Sequence, residues 1–297
     1  MEKVAAVILN WNNYEDTANC LKSLKSVSYP NLDIIVVDNG STDGSAESLK
    51  DDFPEVELIQ IGENRGFGGG MNVGIKQALS IGSEYVWILN NDVIIEEKSI
   101  LKELVNSFNR DDSIGVVTPL IYSYPDTEEI WFWKGSIDWN TGEGYHPTPP
   151  DHVPKKNIQN DYVPLCCALF PAEIFSDVGF LPEKYFLYYE DVDYSVQLAE
   201  SGYDLVTLTD TTIFHKRGGS SGNRLGPISS YYLARNQRIL IREFNEKMSP
   251  FHLLWYFKVI LKETTLRVYN WRIDGLFSLY RGITDGLRNK TGKGPYP

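Results

Sequence analysis

The sequence predicts an α/β protein built on a doubly wound, mostly parallel sheet with helices added at the C-terminal end. Two observations carry this. Short apolar runs rich in β-branched residues alternate four times with helix-spaced segments in the first part of the chain. Polar residues stand at or just beyond the ends of those runs (Asn10, Asp38, Asn64 and Asp92), where open α/β sheets bind their ligands.

Val4 to Leu9 (VAAVIL) is the first buried strand, and Tyr14 to Val27 follows as a helix with Ala18, Leu21 and Leu24 at helical spacing. Leu32 to Val37 is the second strand, ending at Asp38. Ser41, Thr42 and Asp43 then offer caps for a helix carrying Ala46 and Leu49. Val56 to Ile61 reads as a third strand, Phe67 to Ile81 as a helix, and Tyr85 to Leu89 as a fourth strand that runs into Asn90-Asn91-Asp92. Beyond Asp92 the rhythm changes. Ser99 to Phe108 reads as a helix, Gly115 to Tyr122 as a strand, and the aromatic stretch Trp131 to Trp139 as a hairpin. Gly142 to Asn157, rich in Pro and Gly, reads as a mobile loop. A strand (Tyr162 to Phe170), a short helix (Ala172 to Val178), a helix (Asp191 to Ser201) and a strand (Asp204 to Leu208) follow, and from Pro227 the chain is mostly helical.

Composition narrows the function. With 40 Asp and Glu against 28 Lys and Arg, the 297-residue chain carries −12, a poor balance for gripping nucleic-acid phosphates. The longest apolar stretch near the C-terminus, Phe251 to Leu261, is too short to span a bilayer and contains Lys258. No leader-like segment precedes the first strand, and three cysteines make no disulfide framework, so a cytoplasmic location is expected. The charge is uneven. From Pro227 onward 12 basic residues face 5 acidic ones, which leaves −19 on the first 226 residues and +7 on the rest.

No P-loop is present, and the cluster Gly66, Gly68, Gly69, Gly70 departs from the dinucleotide fingerprint because Met71 occupies the last glycine's place. The acids after strands are more informative. A carboxylate at Asp38 can accept hydrogen bonds from a nucleobase or a ribose. Asn90 and Asp92 offer oxygen ligands suited to a hard cation bridging to phosphate. Glu190 and Asp191 begin a helix after Phe186-Leu187-Tyr188-Tyr189. Acids suit a helix N-terminus on dipole grounds, and beside aromatic walls their pKa rises toward that of a general base. His215, followed by Lys216-Arg217-Gly-Gly-Ser-Ser-Gly, is a candidate metal ligand beside phosphate-gripping groups. Cys166 and Cys167 read as core.

The order of these parts, Asn10-Trp11-Asn12, then VVDNGSTDGS, then Glu63 to Gly74, then LNND, then FLYYEDVDY, then His215, resembles the family 2 glycosyltransferases, and their rhamnosyltransferase-like branch in particular. The resemblance covers roughly residues 3 to 245. It implies the GT-A fold over 1–226, with a Rossmann-like nucleotide-sugar half at about 1–95 and an acceptor half at about 96–226, then a helical extension at 227–297. It implies a non-processive, inverting transfer of one sugar from a dTDP- or UDP-linked donor to a glycan or lipid-linked acceptor. By the same resemblance, Asp38, Asn10 and Asn12 would lie near the donor's base, Asn64, Gly68 and Asn72 along the nucleotide, and Asn90 with Asp92 at the D-x-D position. Asp92 and His215 would hold Mn or Mg, Asp191 with Glu190 would be catalytic, and Arg235 would reach the diphosphate. Asn90 in place of an acid leaves open a non-catalytic binding protein of the same fold. A nucleotidyltransferase is the other alternative, although its basic glycine-rich loop is replaced here by Asn10-Trp11-Asn12-Asn13-Tyr14.

The basic, aromatic stretch 250–289 suits contact with the anionic inner face of a cell membrane; a helical cap or a homodimer interface is the other reading.

Overall fold

The computed structural model describes residues 1–216 and 224–296. The basic glycine-rich segment expected to follow His215 therefore lies outside the described residues beyond Lys216. The four parallel strands are β1 (Val4–Asn10), β2 (Leu32–Asp38), β3 (Glu57–Gln60) and β4 (Tyr85–Asn90), linked by α1 (Tyr14–Leu24), α2 (Ser45–Asp52) and α3 (Gly66–Ser80). Then come β5 (Val93–Ile94), α4 (Ile100–Phe108), β6 (Ile114–Tyr124), β7 (Ile130–Phe132), β8 (Ser136–Asp138), β9 (Glu143–Tyr145), β10 (Asn157–Gln159) and β11 (Cys167–Pro171). The remainder is α5 (Ile174–Asp177), α6 (Glu190–Glu200), β12 (Asp204–Lys216), α7 (Pro227–Glu243), α8 (His252–Tyr269) and α9 (Ile273–Leu287).

Among the described residues one mixed sheet of ten strands has the path β10-β12-β6-β11-β4-β1-β2-β3, with β5 on β12 and β7 on β6. Side chains alternate between its faces. Val4, Ala6 and Ile8 of β1 pack with Leu21 and Leu24 of α1 and Leu101 and Leu104 of α4; Ala5 and Val7 pack with Ile75 of α3 and Leu198 of α6. Both faces are thus dry, each fully buried Val, Leu or Ile contributing about 1.5–3 kcal/mol. Strand order reverses beside β1, since α1 leads outward to β2 and the chain returns to β4 on the other side. The strand ends flanking that switch carry Asn10 and Asn90.

Three local expectations need correction. Ser41 does not cap α2. Its hydroxyl turns to Asp38, while Asp43 Oδ1 accepts from Ser45 N at 3.0 Å. The aromatic stretch is not a hairpin with itself: β7 pairs with β6, and β8 pairs with β9, which lies inside the segment read as a loop. The strand at Asp204 continues to Lys216, with its register shifted between Leu208 and Thr212.

Helix α9 packs at backbone distance against α7 and the residues just before it. A Cβ on Gly275 would stand 2.0 Å from Leu225 O, and one on Gly282 would stand 2.4 Å from Tyr231 O. The outer faces of α8 and α9 are uncovered: Phe251, Phe257, Tyr269, Trp271 and Phe277 are all at least 61% exposed. No helix among the described residues is long and apolar enough to cross a membrane.

Candidate active site

Two clefts meet at one pair of carboxyl groups. The first, about 330 Å³, is walled by Trp11 beyond β1, Asn39 beyond β2, Asn64 and Gly66 at the start of α3, Asn90 at the end of β4 and Asn91 and Asp92 just after it. The second, about 710 Å³, is walled by Glu143, Tyr145, His146, Tyr162, Arg224 and Lys262. Tyr188, Glu190 and Asp191 face both.

In the first cleft, β5 pairs with β12 so that Val93 lies opposite His215, and Lys216 N donates to Asp92 O at 3.0 Å. This register brings His215 Nε2 to 3.1 Å from Asp92 Oδ1. The two atoms are not aligned on one another, and neither has a hydrogen-bond partner among the described residues. Trp131 rests 4.8 Å, centroid to centroid, from the imidazole and limits its rotation. A buried carboxylate oxygen and a ring nitrogen that converge without bonding fit a shared cation. No group of three His, Cys, Asp or Glu side chains able to hold a metal occurs among the described residues. A hard divalent cation here would thus draw its other oxygens from water or a bound phosphate.

The carboxyl pair starts α6. Glu190 is 8% exposed and its Oε2 is without a hydrogen-bond partner among the described residues. Burial pushes its carboxyl well above the usual carboxylate range, and the neighbouring Asp191 charge adds to this. Asp191 is also raised by burial, less so because Val192 N donates to its Oδ1 at 2.8 Å. Two adjacent acids cannot both ionise cheaply, and the Val192 N–H favours the charged form of Asp191 over that of Glu190.

Phe186, Tyr188 and Tyr189 all adopt left-handed backbone, with φ of 67°, 67° and 75°. Each such non-glycine residue costs on the order of 1–3 kcal/mol and persists only where its surroundings enforce it. Here α7 and α3 do so. Arg235 Nη2 donates to Tyr185 O at 2.6 Å, and Asn236 Nδ2 lies 3.0, 2.7 and 3.0 Å from the carbonyl oxygens of Tyr185, Leu187 and Tyr188. Phe67 N donates to Phe186 O at 2.7 Å. The approach is so close that a Cβ on Gly66, which has φ +77°, would meet that oxygen at 2.3 Å.

The other residues named from the sequence divide. Asn64 and Asn90 line the first cleft with Asp92. Asn10 and Asp38 lie beneath its wall, bonded to each other at 2.8 Å, and Asp38 also accepts from Ser41 N and Oγ. Asn12 is exposed and its Oδ1 accepts from Thr42 N. Arg235 does not face the cleft. It is fully buried, with its guanidinium on Tyr185 O, Gly292 O and Asn236 Oδ1 between the rings of Tyr231 and Tyr232. Nor do Asn72 and Gly68 line it: Asn72 exchanges hydrogen bonds with the Leu181 backbone, and Gly68 lets Pro182 pack on α3. Asn39, Trp131 and Tyr188 line this cleft without being candidate site residues in the sequence. Asn39 could have been found, since it directly follows a strand-ending acid; its amide bridges Asn64 Oδ1 and Gly66 O.

Several known proteins are similar. The model of the family Glycosyl transferase family 2 matches residues 5–179. The chain is 27% identical over 68% of its length, and 72% of the relative's, to the N-acetylglucosaminyl-diphospho-decaprenol L-rhamnosyltransferase of Mycobacterium tuberculosis. It is 22% identical over 99% of its length, and 98% of the relative's, to the dTDP-rhamnosyl transferase RfbF of Shigella flexneri. In fold it resembles GalNAc-T7 solved with UDP, GalNAc and Mn2+, at TM-score 0.65 and 14% identity over 82% of this chain but only 48% of that one. It also resembles the mannosyltransferase PcManGT of Pyrobaculum calidifontis in complex with GDP-Man and Mn2+, at TM-score 0.58 and 16% identity over 96% of this chain and 75% of that one. With the family model covering more than half of its length, the chain belongs to glycosyl transferase family 2 and is a glycosyltransferase of the GT-A fold.

Proposed function

We propose that the protein is a non-processive, inverting transferase that moves one sugar, rhamnose on dTDP or UDP by the analogy of its relatives, to a hydroxyl of a glycan or lipid-linked acceptor. The observation that carries this reading is the Glu190–Asp191 pair on the wall common to both clefts. Donor nucleotide occupies the cleft of Asn39, Asn64, Asn90 and Asp92, and the acceptor occupies the cleft of Glu143, Tyr145 and His146. Asp191 takes the proton from the acceptor hydroxyl as that oxygen bonds to the anomeric carbon. The bond from that carbon to the diphosphate breaks, and its electron pair leaves with the nucleotide. Asp92 and His215 would hold a divalent cation, Mn or Mg, which supplies charge neutralisation at the departing diphosphate.

Calorimetric titration with dTDP, UDP and GDP, each with and without Mn, tests the donor side. One nucleotide is expected to bind in a metal-dependent manner. Asp92→Ala should weaken that binding about tenfold or more with Mn and leave the metal-free affinity unchanged. Equal affinity of the unmodified protein with and without metal refutes the cation assignment; no binding of any nucleotide refutes the transferase site.

The exposed aromatic face of α8 and α9, with its excess of Lys and Arg, supports peripheral contact with an anionic bilayer. Flotation with phosphatidylglycerol vesicles is expected at low salt and should disappear at high salt. Absence of flotation at low salt removes the membrane contact.

A further inference from the structure

We propose that Arg224 and Lys262 form a phosphate-binding subsite at the rim of the acceptor cleft, which selects a sugar esterified to a lipid phosphate or diphosphate over a neutral glycan. The subsite rests on the transfer reading above and adds to it the chemistry of the acceptor.

The acceptor cleft carries charges of both signs. Glu190 and Asp191 line it, and so does Glu143, raised by burial but held back by the nearby charges of Arg224 and Lys262. Arg224 and Lys262 are the only Lys or Arg side chains that line it among the described residues. An anionic group is therefore repelled by the carboxyl pair and drawn to these two.

Both charges reach solvent. Arg224 has a 72% exposed side chain, and its ion pair with Glu263 is long, Nη2 to Oε1 at 3.6 Å. That acid is already engaged by buried Arg267, whose Nη1 lies 2.6 Å from Glu263 Oε2. Lys262 is exposed and has no ion-pair partner among the described residues. A guanidinium and an ammonium on one cleft wall suit a phosphate ester, the first as a planar fork and the second as a point charge.

Lys262 also gives the ligand a direction. On α8 it belongs to a stripe at spacings of three and four, Phe251, Trp255, Lys258, Lys262, Leu266 and Tyr269, all of them exposed. The stripe continues the cleft rim into the uncovered aromatic face of α8 and α9. A sugar with its hydroxyl at Asp191 thus has its phosphate at Arg224 and Lys262, and its hydrocarbon chain lies along α8.

Farnesyl diphosphate and farnesol serve as charged and neutral probes, titrated in detergent with dTDP or UDP and Mn at saturation to fill the donor cleft. The unmodified protein is expected to bind farnesyl diphosphate about tenfold more tightly than farnesol. The double variant Arg224→Gln, Lys262→Gln should lose that advantage while keeping its affinity for farnesol and nucleotide. Both side chains are exposed, so equal urea unfolding midpoints are expected for the two proteins. Equal affinity of both proteins for farnesyl diphosphate overturns the subsite, as does its complete displacement by nucleotide, which would put the probe in the donor cleft. Failure of the transfer reading shows separately, as absence of metal-dependent nucleotide binding, and the comparison of the two proteins with farnesyl diphosphate still decides the subsite.

Discussion

Asp191→Asn is expected to lower sugar transfer at least about 100-fold, the scale of a lost general base, with nucleotide and metal affinity intact. The same change should make the folded protein more stable near neutral pH. The reasoning is one of sign. Burial raises both carboxyls of the pair, so the folded state binds protons more tightly than the unfolded chain. Their favourable contribution is complete at acid pH and is lost as pH rises through the raised values. The variant lacks one of these charges, so its advantage in urea midpoint should widen from acid to neutral pH. Activity of the unmodified protein should fall on acidification at a pH above the ordinary carboxylate range. A variant with near-normal turnover would remove Asp191 from the mechanism.

Asn236→Leu is expected to cost about 3 kcal/mol of stability and to reduce transfer. Its amide serves the half-buried carbonyls of Leu187 and Tyr188, whose loss costs about 1–3 kcal/mol each, and shares that of Tyr185 with Arg235. With those bonds gone, α7 holds the left-handed residues only through Arg235 on Tyr185 O, Ser229 Oγ at 3.1 Å from Tyr188 Oη and the stacking of Tyr232 on Phe186, none of which reaches the Leu187 and Tyr188 carbonyls, so Glu190 and Asp191 are expected to shift. Urea unfolding measures the first effect and turnover at saturating donor the second. A variant as stable and as active as the parent would show that the 185–188 backbone holds its shape unaided.

The parallel half was legible because its signals are local. Val4 to Leu9 or Leu32 to Val37 needs no distant partner to read as a buried strand, and a polar residue after it marks the sheet's binding edge. Polar side chains from separate motifs also meet at one cleft: Asp92 lies against His215, and Asn64 and Asn90 line the same walls. The failures share one cause, which is that a residue's type does not reveal which way it faces. Arg235 looks like a phosphate ligand in sequence, yet its guanidinium is consumed by backbone carbonyls. Asn72 sits in a glycine-rich helix start and spends its amide on Leu181. The hairpin expected at Trp131 to Trp139 failed because β7 found a partner in β6, which no local pattern encodes.

The clamp of Arg235 and Asn236 on the 185–188 backbone also sets an order of events during synthesis. The bonds join positions 48 to 51 residues apart, and Arg235 closes on Gly292 as well. All strands of the sheet have been translated before α7 exists, so both apolar faces can collapse on a chain that still lacks the support for its reactive carboxyls. The nascent protein is therefore expected to be folded in its sheet while chemically silent, and transfer competence arrives with the last helices.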